Sequence, residues 1–159
     1  MITIENILEK NQIKSIKDLI DYEVENYLCK EVPLYQSYNN MHIKYKDIQL
    51  LSFLFNTMLK ETEIATNEKL NIAESWFNIC KEDSKFEFHN HKEKYITCVY
   101  FLENCEENGP LFKINNSCLQ LLCKDNSLAI FDPEIMHSIP EWKGKNRYTV
   151  AMDFVKKEV

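Results

Sequence analysis

Glycine is nearly missing from this sequence: Gly109 and Gly144 are the only two among 159 residues. A glycine-rich loop that could wrap phosphate groups is therefore absent, and so are a GxSxG nucleophile motif and any internal repeat. No apolar run approaches the roughly 20 residues that a membrane-spanning helix needs. These absences argue against a nucleotide-binding loop, a serine hydrolase, a repeat protein and a helical membrane protein.

The six cysteines form no CxxC pair, which is the usual spacing in structural zinc sites and dithiol redox centres. We expect the six to be reduced, buried thiols, and those at positions 80, 98 and 123 lie inside apolar runs. The first residues also lack a basic segment followed by an apolar stretch, so we expect no signal peptide. We therefore expect a soluble, cytoplasmic protein.

Basic residues are outnumbered, since 19 lysines and arginines against 25 acidic residues give a net charge of −6. Without a stripe of positive charge, a nucleic-acid backbone is disfavoured as the main partner. An apolar fraction of 45% and an aromatic fraction of 12% are typical of a folded protein. The length suits a single domain covering residues 1–159.

Residues 1–70 are predicted to be mainly helical. Ser15 is a candidate N-cap for a helix whose apolar residues recur at helical spacing as far as residue 28 and which ends before Pro33. A second amphipathic stretch, over residues 47–60, has a broad apolar stripe. Stripes of this kind usually pack against a core, so we expect this part of the chain to carry no chemistry.

The pattern changes in residues 71–159, where short β-rich runs are separated by polar turns. The predicted strands cover residues 72–81, 85–89, 95–102, 111–114, 118–123, 127–131, 136–139 and 147–155. Both glycines fall between strands, where a turn can use their conformational freedom. Short strands at this close spacing predict a sandwich or barrel with the helices in front of it, and hence an α+β protein.

Three histidines fall in the β region and are candidate metal ligands. Alternation along the strand that contains them places His89 and His91 on one face. Phe86 and Phe88 then point the other way. A third imidazole comes from His137, in another predicted strand. Imidazoles suit first-row transition metals, and three protein ligands leave positions open for a substrate and O₂.

Arg147 enters an otherwise apolar strand and is a candidate anion-binding residue. If the strands on either side of the turn between His137 and Arg147 pair, the guanidinium points into the same barrel as the histidines. Thr149 is its next neighbour on that face. A guanidinium binds a carboxylate through two parallel hydrogen bonds, and the threonine hydroxyl could donate another.

These residues and their spacing resemble the C-terminal signature of the 2-oxoglutarate-dependent oxygenases. That signature is a metal-binding histidine, a turn and then Arg-x-Ser/Thr, which His137, Arg147 and Thr149 match. Within this superfamily the chain is similar to a prolyl-hydroxylase-like group whose signature reads Ser-Trp, an asparagine two residues after the tryptophan, and later His-x-His. The matching segments are Ser75-Trp76-Phe77-Asn78 and His89-Asn90-His91.

The resemblance covers about residues 72–155 and implies a double-stranded β-helix (jelly roll) with the N-terminal helices packed on one sheet. It implies Fe(II) and 2-oxoglutarate as cofactors, and hydroxylation of a substrate with O₂ and release of succinate and CO₂. The residues that would hold the iron are His89, His91 and His137. The residues that would bind 2-oxoglutarate are Arg147, Thr149, Asn78 and Tyr100.

The second position of the metal motif departs from the superfamily, in which His-x-Asp or His-x-Glu is usual. One interpretation is that His89, His91 and His137 bind the iron. The other shifts the frame, because His91-Lys92-Glu93 is itself His-x-Glu and would restore two histidines and a carboxylate. The spacing between His91 and Leu102 favours the three-histidine interpretation. Three neutral imidazoles would leave the iron site one unit more positive.

Two other functions compete with the oxygenase. A cupin-like metalloenzyme would use the three histidines without 2-oxoglutarate, although the second cupin motif has no good counterpart and Arg147 would then lack a purpose. A jelly-roll binding module would use neither the metal nor the cofactor. The substrate could be a small molecule or a peptide or protein side chain.

Overall fold

The structure is a computed structural model that describes residues 1–27, 35–106 and 109–158. In chain order, its elements are β1 (Ile2–Glu5), α1 (Lys10–Asn26), β2 (Tyr35–Gln36), α2 (Met41–Lys44), α3 (Gln49–Thr66), β3 (Leu70–Cys80), β4 (Phe86–His89), β5 (Ile96–Glu103), β6 (Leu111–Ile114), β7 (Ser117–Gln120), β8 (Ser127–Phe131), β9 (Met136–Ile139) and β10 (Arg147–Lys156).

The strands form two antiparallel sheets that face each other. The major sheet has the order β1-β8-β5-β10-β3-β2, and the minor sheet has the order β4-β9-β6-β7. From β3 to β10 the chain crosses from one sheet to the other after every strand, except at the hairpin between β6 and β7. This winding is a double-stranded β-helix, and with the helices it confirms the predicted α+β jelly roll.

The helices cover one face of the major sheet, because each presents an apolar stripe to it. Helix α1 contributes Ile16 and Ile20, spaced one turn apart, and α3 contributes Leu54 and Met58 in the same way. These side chains join one buried cluster with the apolar residues of β3, β5 and β10. Each such side chain stabilises the fold by about 1.5–3 kcal/mol through burial. None of the described helices is long and apolar enough to cross a bilayer.

Strand β10 is the centre of the major sheet, between β3 and β5, and both of its faces are buried. Val150, Met152 and Phe154 point towards the helices and belong to their apolar cluster. Arg147 and Asp153 point the other way, into the space between the two sheets. The same strand therefore serves the core on one side and a polar cavity on the other.

The N-terminal part differs from the prediction in two ways. Ser15 does not cap α1 but lies inside it, where its hydroxyl donates to the Asn11 carbonyl, and Glu9 is the N-cap. Gln12 accepts a hydrogen bond from the Glu9 amide at 2.8 Å, the backward arm of a capping box. The short strands β1 and β2 were not predicted. The predicted end of the first helix, at residue 28 and Pro33, lies outside the described residues.

Cysteines in the described residues carry free thiols, and four of the five are buried. This agrees with the expectation of reduced, buried thiols for positions 80, 98, 105 and 123, whereas Cys118 is exposed. The prediction for Cys29 lies outside the described residues.

Candidate active site

A cavity of about 510 Å³ opens between the two sheets. Its size is that of a small-molecule binding site. Side chains of β3, β5, β8 and β10 line it from the major sheet, and side chains of β4 and β9 line it from the minor sheet. The predicted site residues that line this cavity are His89, His91, His137, Arg147, Thr149 and Asn78.

Three imidazoles converge in this cavity. One ligand nitrogen each from His89, His91 and His137 lies within 4.8 Å of the other two. The ring centroids of His89 and His137 are 4.3 Å apart, and that of His91 is 5.3 and 5.1 Å from them. Because imidazoles that share one ion at about 2.1 Å place their nitrogens roughly 3 Å apart, small ring rotations complete a binding site.

A bulge and a turn bring the imidazoles together. His89 and His137 are direct partners in the register of β4 and β9, which shifts between Phe86 and His89. The Phe86 ring therefore also faces the cavity, 4.3 Å from the His89 ring, and the predicted alternation is wrong for Phe86. Strand β4 ends at His89, and His91 is held beyond it by its backbone amide, which donates to the Pro133 carbonyl at 2.8 Å.

Every histidine of the cluster has an acceptor at its Nδ1 atom. Nδ1 of His89 lies 3.0 Å from the Glu87 carbonyl oxygen, and Nδ1 of His137 lies 3.0 Å from that of Ile135. Nδ1 of His91 lies 2.9 and 2.8 Å from the two Asp153 carboxylate oxygens. Since these oxygens only accept, each Nδ1 carries the hydrogen, and in the neutral ring the lone pair is on Nε2.

His137 is a neutral imidazole at physiological pH. Its pKa is lowered to about 4, mainly by burial and also by the nearby His89 and His91, while the Ile135 carbonyl and Asp153 act in the opposite direction. A neutral imidazole is the form that binds a metal ion. This side chain is therefore ready to act as a ligand without first losing a proton.

Arg147 places a buried guanidinium in the same cavity. The residue is 2% exposed, and its Nε and Nη1 atoms have no hydrogen-bond partner among the described residues. Its close neighbours include the thiols of Cys80 and Cys105, which are weak acceptors. Burial raises the pKa of the Cys105 thiol to about 12 although Arg147 lowers it, so this thiol is neutral. A buried cation without a counter-charge is strongly unfavourable, which points to an anionic ligand.

Two further predicted residues lie beside Arg147. Asn78 and Thr149 are cross-strand partners in β3 and β10, and Asn78 Nδ2 donates to Thr149 Oγ1 at 3.1 Å. The Thr149 oxygen accepts this bond, so its own hydroxyl hydrogen can be donated to a ligand. The Asn78 Oδ1 atom is buried without a hydrogen-bond partner among the described residues.

Arg147 reaches the cavity from an unexpected side. The pairing considered for the strands before and after residues 140–146 does not occur, because β9 pairs with β4 and β6 while β10 pairs with β3 and β5. The turn crosses from the minor to the major sheet. His137 and Arg147 therefore lie on opposite walls of the cavity, and a ligand between them would touch both.

The structure contradicts the prediction for Tyr100. Its side chain lies on the helix-facing side of β5, is 0% exposed, and donates from its hydroxyl to Asn126 Oδ1 at 2.7 Å. The residues of β5 that line the cavity are the neighbouring Val99 and Phe101. Tyr100 is therefore part of the apolar core and cannot reach a ligand between the sheets.

Glu93 does not join the histidines either. Because β4 ends at His89, the predicted alternation does not continue, and Glu93 lies exposed in a turn with a φ of 69°. It neither belongs to the group of converging ligand atoms nor lines the cavity. The alternative triad of His91, Glu93 and His137 is therefore not assembled.

Sequence reasoning missed Asp153, which contacts His91, and Thr97, whose hydroxyl donates to Asp153 at 2.6 Å. A signal was present, because Asp153 is an acidic residue in the apolar run of β10 and is an even number of residues from Arg147. Even spacing along a strand means a shared face. The contact with Thr97 depends on the pairing of β5 and β10, which the sequence does not show.

No protein-family model matches the sequence, and no curated protein is similar to it. Solved structures do match. HygX from Streptomyces hygroscopicus, with nickel, 2-oxoglutarate and hygromycin B bound, superposes with a TM-score of 0.73 at 10% identity, over 98% of this chain and 82% of the other. The collagen prolyl hydroxylase of Paramecium bursaria Chlorella virus-1, in its 2-oxoglutarate complex, gives 0.66 at 13% identity, over 99% and 96%.

A prolyl hydroxylase from Trichoplax adhaerens, in complex with a hypoxia-inducible-factor peptide, gives a TM-score of 0.70 at 11% identity, over 98% of this chain and 83% of the other. Likeness at such low identity establishes the fold. The chain has the double-stranded β-helix of the 2-oxoglutarate-dependent oxygenases, and the fold that the sequence resemblance implied is confirmed.

Proposed function

We propose that this protein is an Fe(II)- and 2-oxoglutarate-dependent oxygenase that hydroxylates an unidentified substrate with release of succinate and CO₂. The observation that carries the proposal is the combination of two features in one cavity. One is the converging imidazoles of His89, His91 and His137, and the other is the buried guanidinium of Arg147, which has no anionic partner among the described residues. The first suits a ferrous ion and the second a dicarboxylate.

The donor set suits iron. Three imidazoles with their Nε2 lone pairs available form a nitrogen-rich site of the kind that first-row transition metals prefer. When bound, iron with 2-oxoglutarate would supply the activation of O₂. The part of His89, His91 and His137 is to hold the ion at one wall of the cavity and to leave its other side open.

Arg147 is proposed to bind the distal carboxylate of 2-oxoglutarate. The guanidinium can donate to that carboxylate from its Nε or its Nη1 atom, neither of which has a hydrogen-bond partner among the described residues. The Thr149 hydroxyl can donate another hydrogen bond, and Asn78 keeps the threonine oriented through the bond at 3.1 Å. The distal carboxylate would thus supply the counter-charge that Arg147 lacks among the described residues.

The walls between the two groups are mostly apolar. Val99, Phe101 and Phe131 line the cavity from the major sheet, and Ile139 lines it from the minor sheet. Such walls exclude water from the reacting groups and strengthen the electrostatic attraction between Arg147 and a carboxylate. The protein would thus supply orientation and a dry pocket, while the cofactors carry the chemistry.

The structural neighbours support the cofactors but leave the substrate open. HygX was solved with nickel and 2-oxoglutarate, and the viral prolyl hydroxylase with 2-oxoglutarate. One of the neighbours holds hygromycin B and another a peptide. Since the same fold accepts such different molecules, the substrate here is proposed only as a small molecule or a peptide or protein side chain.

We also propose that residues 1–159 form one domain and that the protein works in the cytoplasm. The helices and the major sheet share one apolar cluster, which supports a single folding unit. The free thiols of the described cysteines suit a reducing compartment. The net charge of −6 disfavours nucleic acid as the substrate.

Anaerobic titration with Fe(II) and 2-oxoglutarate tests the proposal. A weak visible charge-transfer band is expected once both are bound, because 2-oxoglutarate chelates the iron. Iron binding without that band would favour a cupin-like three-histidine enzyme, and no iron binding would favour a binding module.

A screen of candidate substrates for stimulated succinate release then identifies the reaction. Mass spectrometry of each stimulating compound should show one added oxygen atom. An H137A variant, which removes one proposed iron ligand, is the control for release that does not depend on the site.

A further inference from the structure

We infer that Asp153 is an anionic positioning residue of the metal site. Its carboxylate holds the imidazole of His91 with Nε2 towards the ion. It also places a negative charge next to the ligands, whereas in a triad of two histidines and one carboxylate a ligand itself carries that charge. The inference deepens the proposed function and rests on it. It concerns a residue that would act through His91 and would not touch the iron.

The contacts of Asp153 are specific. Nδ1 of His91 lies 2.9 Å from Oδ1 and 2.8 Å from Oδ2, so the imidazole is centred on the carboxylate. The Thr97 hydroxyl donates to Oδ1 at 2.6 Å from the neighbouring strand β5. These bonds fix the carboxylate and, through it, the orientation of the ring.

The Nδ1 atom of His91 contacts a carboxylate. His89 and His137 direct their Nδ1 atoms to the backbone carbonyl oxygens of Glu87 and Ile135, which are neutral. When the Nδ1 hydrogen of an imidazole is donated to a carboxylate, its Nε2 atom is a better electron donor than when that hydrogen is donated to a carbonyl. The carboxylate therefore makes His91 a stronger metal ligand than a carbonyl partner at the same atom would.

The carboxylate also needs a cation. Asp153 is 1% exposed, and the imidazole of His91 is paired with it, whereas no lysine or arginine among the described residues bonds to it. Lys94 lines the same cavity but pairs with Glu74 at 3.0 Å. A buried carboxylate is unfavourable without a compensating charge. A divalent cation on His91 supplies that charge through the imidazole.

The test separates charge from shape with the isosteric substitution Asp153→Asn. An amide oxygen can still accept from His91, but the negative charge is gone. We expect the affinity for Fe(II), measured anaerobically by competition with a chelator, to fall by about 10- to 100-fold. At saturating Fe(II) and 2-oxoglutarate, the charge-transfer band should shift to shorter wavelength, because weaker donation makes the ferrous ion harder to oxidise.

Two further variants keep the outcome interpretable. Thr97→Val leaves the carboxylate and its contact with His91 in place and removes one hydrogen bond, so we expect a loss in Fe(II) affinity of about 2- to 10-fold with a smaller band shift in the same direction. Glu74→Gln removes a negative charge from the same cavity without a contact to the histidines. It should leave the affinity and the band unchanged.

The possible failures are distinguishable. If the unmodified protein binds no Fe(II), the proposed function fails and the role of Asp153 fails with it. If the unmodified protein binds Fe(II) and Asp153→Asn binds it equally well with an unmoved band, only the role of Asp153 is overturned. Should the asparagine variant not fold, an Fe(II) affinity and band of Thr97→Val equal to those of Glu74→Gln would overturn the role as well.

Discussion

The two faces of the major sheet are both buried, but they are buried for different reasons. Towards the helices, β10 presents Val150, Met152 and Phe154, which pack into one apolar cluster. Towards the minor sheet, it presents Arg147 and Asp153, whose charges remain where water is scarce. The first face stabilises the fold, whereas the second has charged groups whose charges bound ligands would compensate.

Buried apolar side chains and buried charged side chains have different meanings for function. An apolar side chain at 0% exposure needs no explanation beyond packing. A guanidinium at 2% exposure does, because burying a charge is unfavourable when two of its nitrogens have no hydrogen-bond partner among the described residues. Among the described residues, the buried side-chain atoms without a hydrogen-bond partner belong to Asn78 and Arg147, which line the same cavity.

The largest change in free energy is expected on the helix-facing side. Met152→Ala leaves a hole in a fully buried cluster and should lower the free energy of unfolding by about 2–5 kcal/mol, measured by urea denaturation of the metal-free protein. The affinities for Fe(II) and 2-oxoglutarate should not change. A large loss of either affinity in a folded variant would contradict the assignment of stability to one face and of ligand binding to the other.

On the cavity side, His137→Ala should weaken Fe(II) binding by more than about 100-fold, because removing a ligand exceeds the 10- to 100-fold effect of an outer partner. The free energy of unfolding of the metal-free protein should change little by comparison with Met152→Ala. His42→Ala is the matched control, since His42 contacts Ser75 outside the cavity. Equal Fe(II) affinity in the two histidine variants would contradict the metal site.

Arg147→Ala should raise the concentration of 2-oxoglutarate needed for half-maximal turnover by about 10- to 100-fold, because charge-assisted hydrogen bonds are worth roughly 1.5–3 kcal/mol. Iron should stay bound. The free energy of unfolding should fall less than in Met152→Ala. Removal of Arg147 leaves no buried counter-charge unpaired, since the arginine has none among the described residues. An unchanged dependence on 2-oxoglutarate would remove Arg147 from the cofactor site.

The smallest effect is expected for Glu93→Gln. Glu93 is exposed and does not line the cavity, so its substitution should leave Fe(II) affinity within about 2-fold of the unmodified protein. Chelator competition measures this directly. A loss comparable to that of His137→Ala would instead assign the ligand to Glu93 and refute the three-histidine set.

Much of the β architecture could be predicted from the sequence. Eight strands were expected near their observed positions, because apolar runs between polar turns mark buried strands. The strands β1 and β2 were missed because they are short and lie at the edges of the major sheet. An edge strand does not require the apolar run that marks a buried strand. The fold followed from the signature around His137 and Arg147.

The details of the site could be predicted less well, for physical reasons. Both faces of β5 are buried, so its sequence does not show that Phe101 faces the cavity and Tyr100 the helices. The bulge after Phe86 and the end of β4 at His89 depend on pairing with β9, a distant segment. Local alternation therefore misplaced Phe86 and extended the strand too far towards Glu93.

The most direct test is anaerobic calorimetry of 2-oxoglutarate added to the Fe(II)-loaded protein. One equivalent should bind, and the affinity should fall steeply both when iron is left out and in Arg147→Ala, because the ligand bridges the two walls of the cavity. Binding that is indifferent to iron and to Arg147, or no binding at all, would contradict the account.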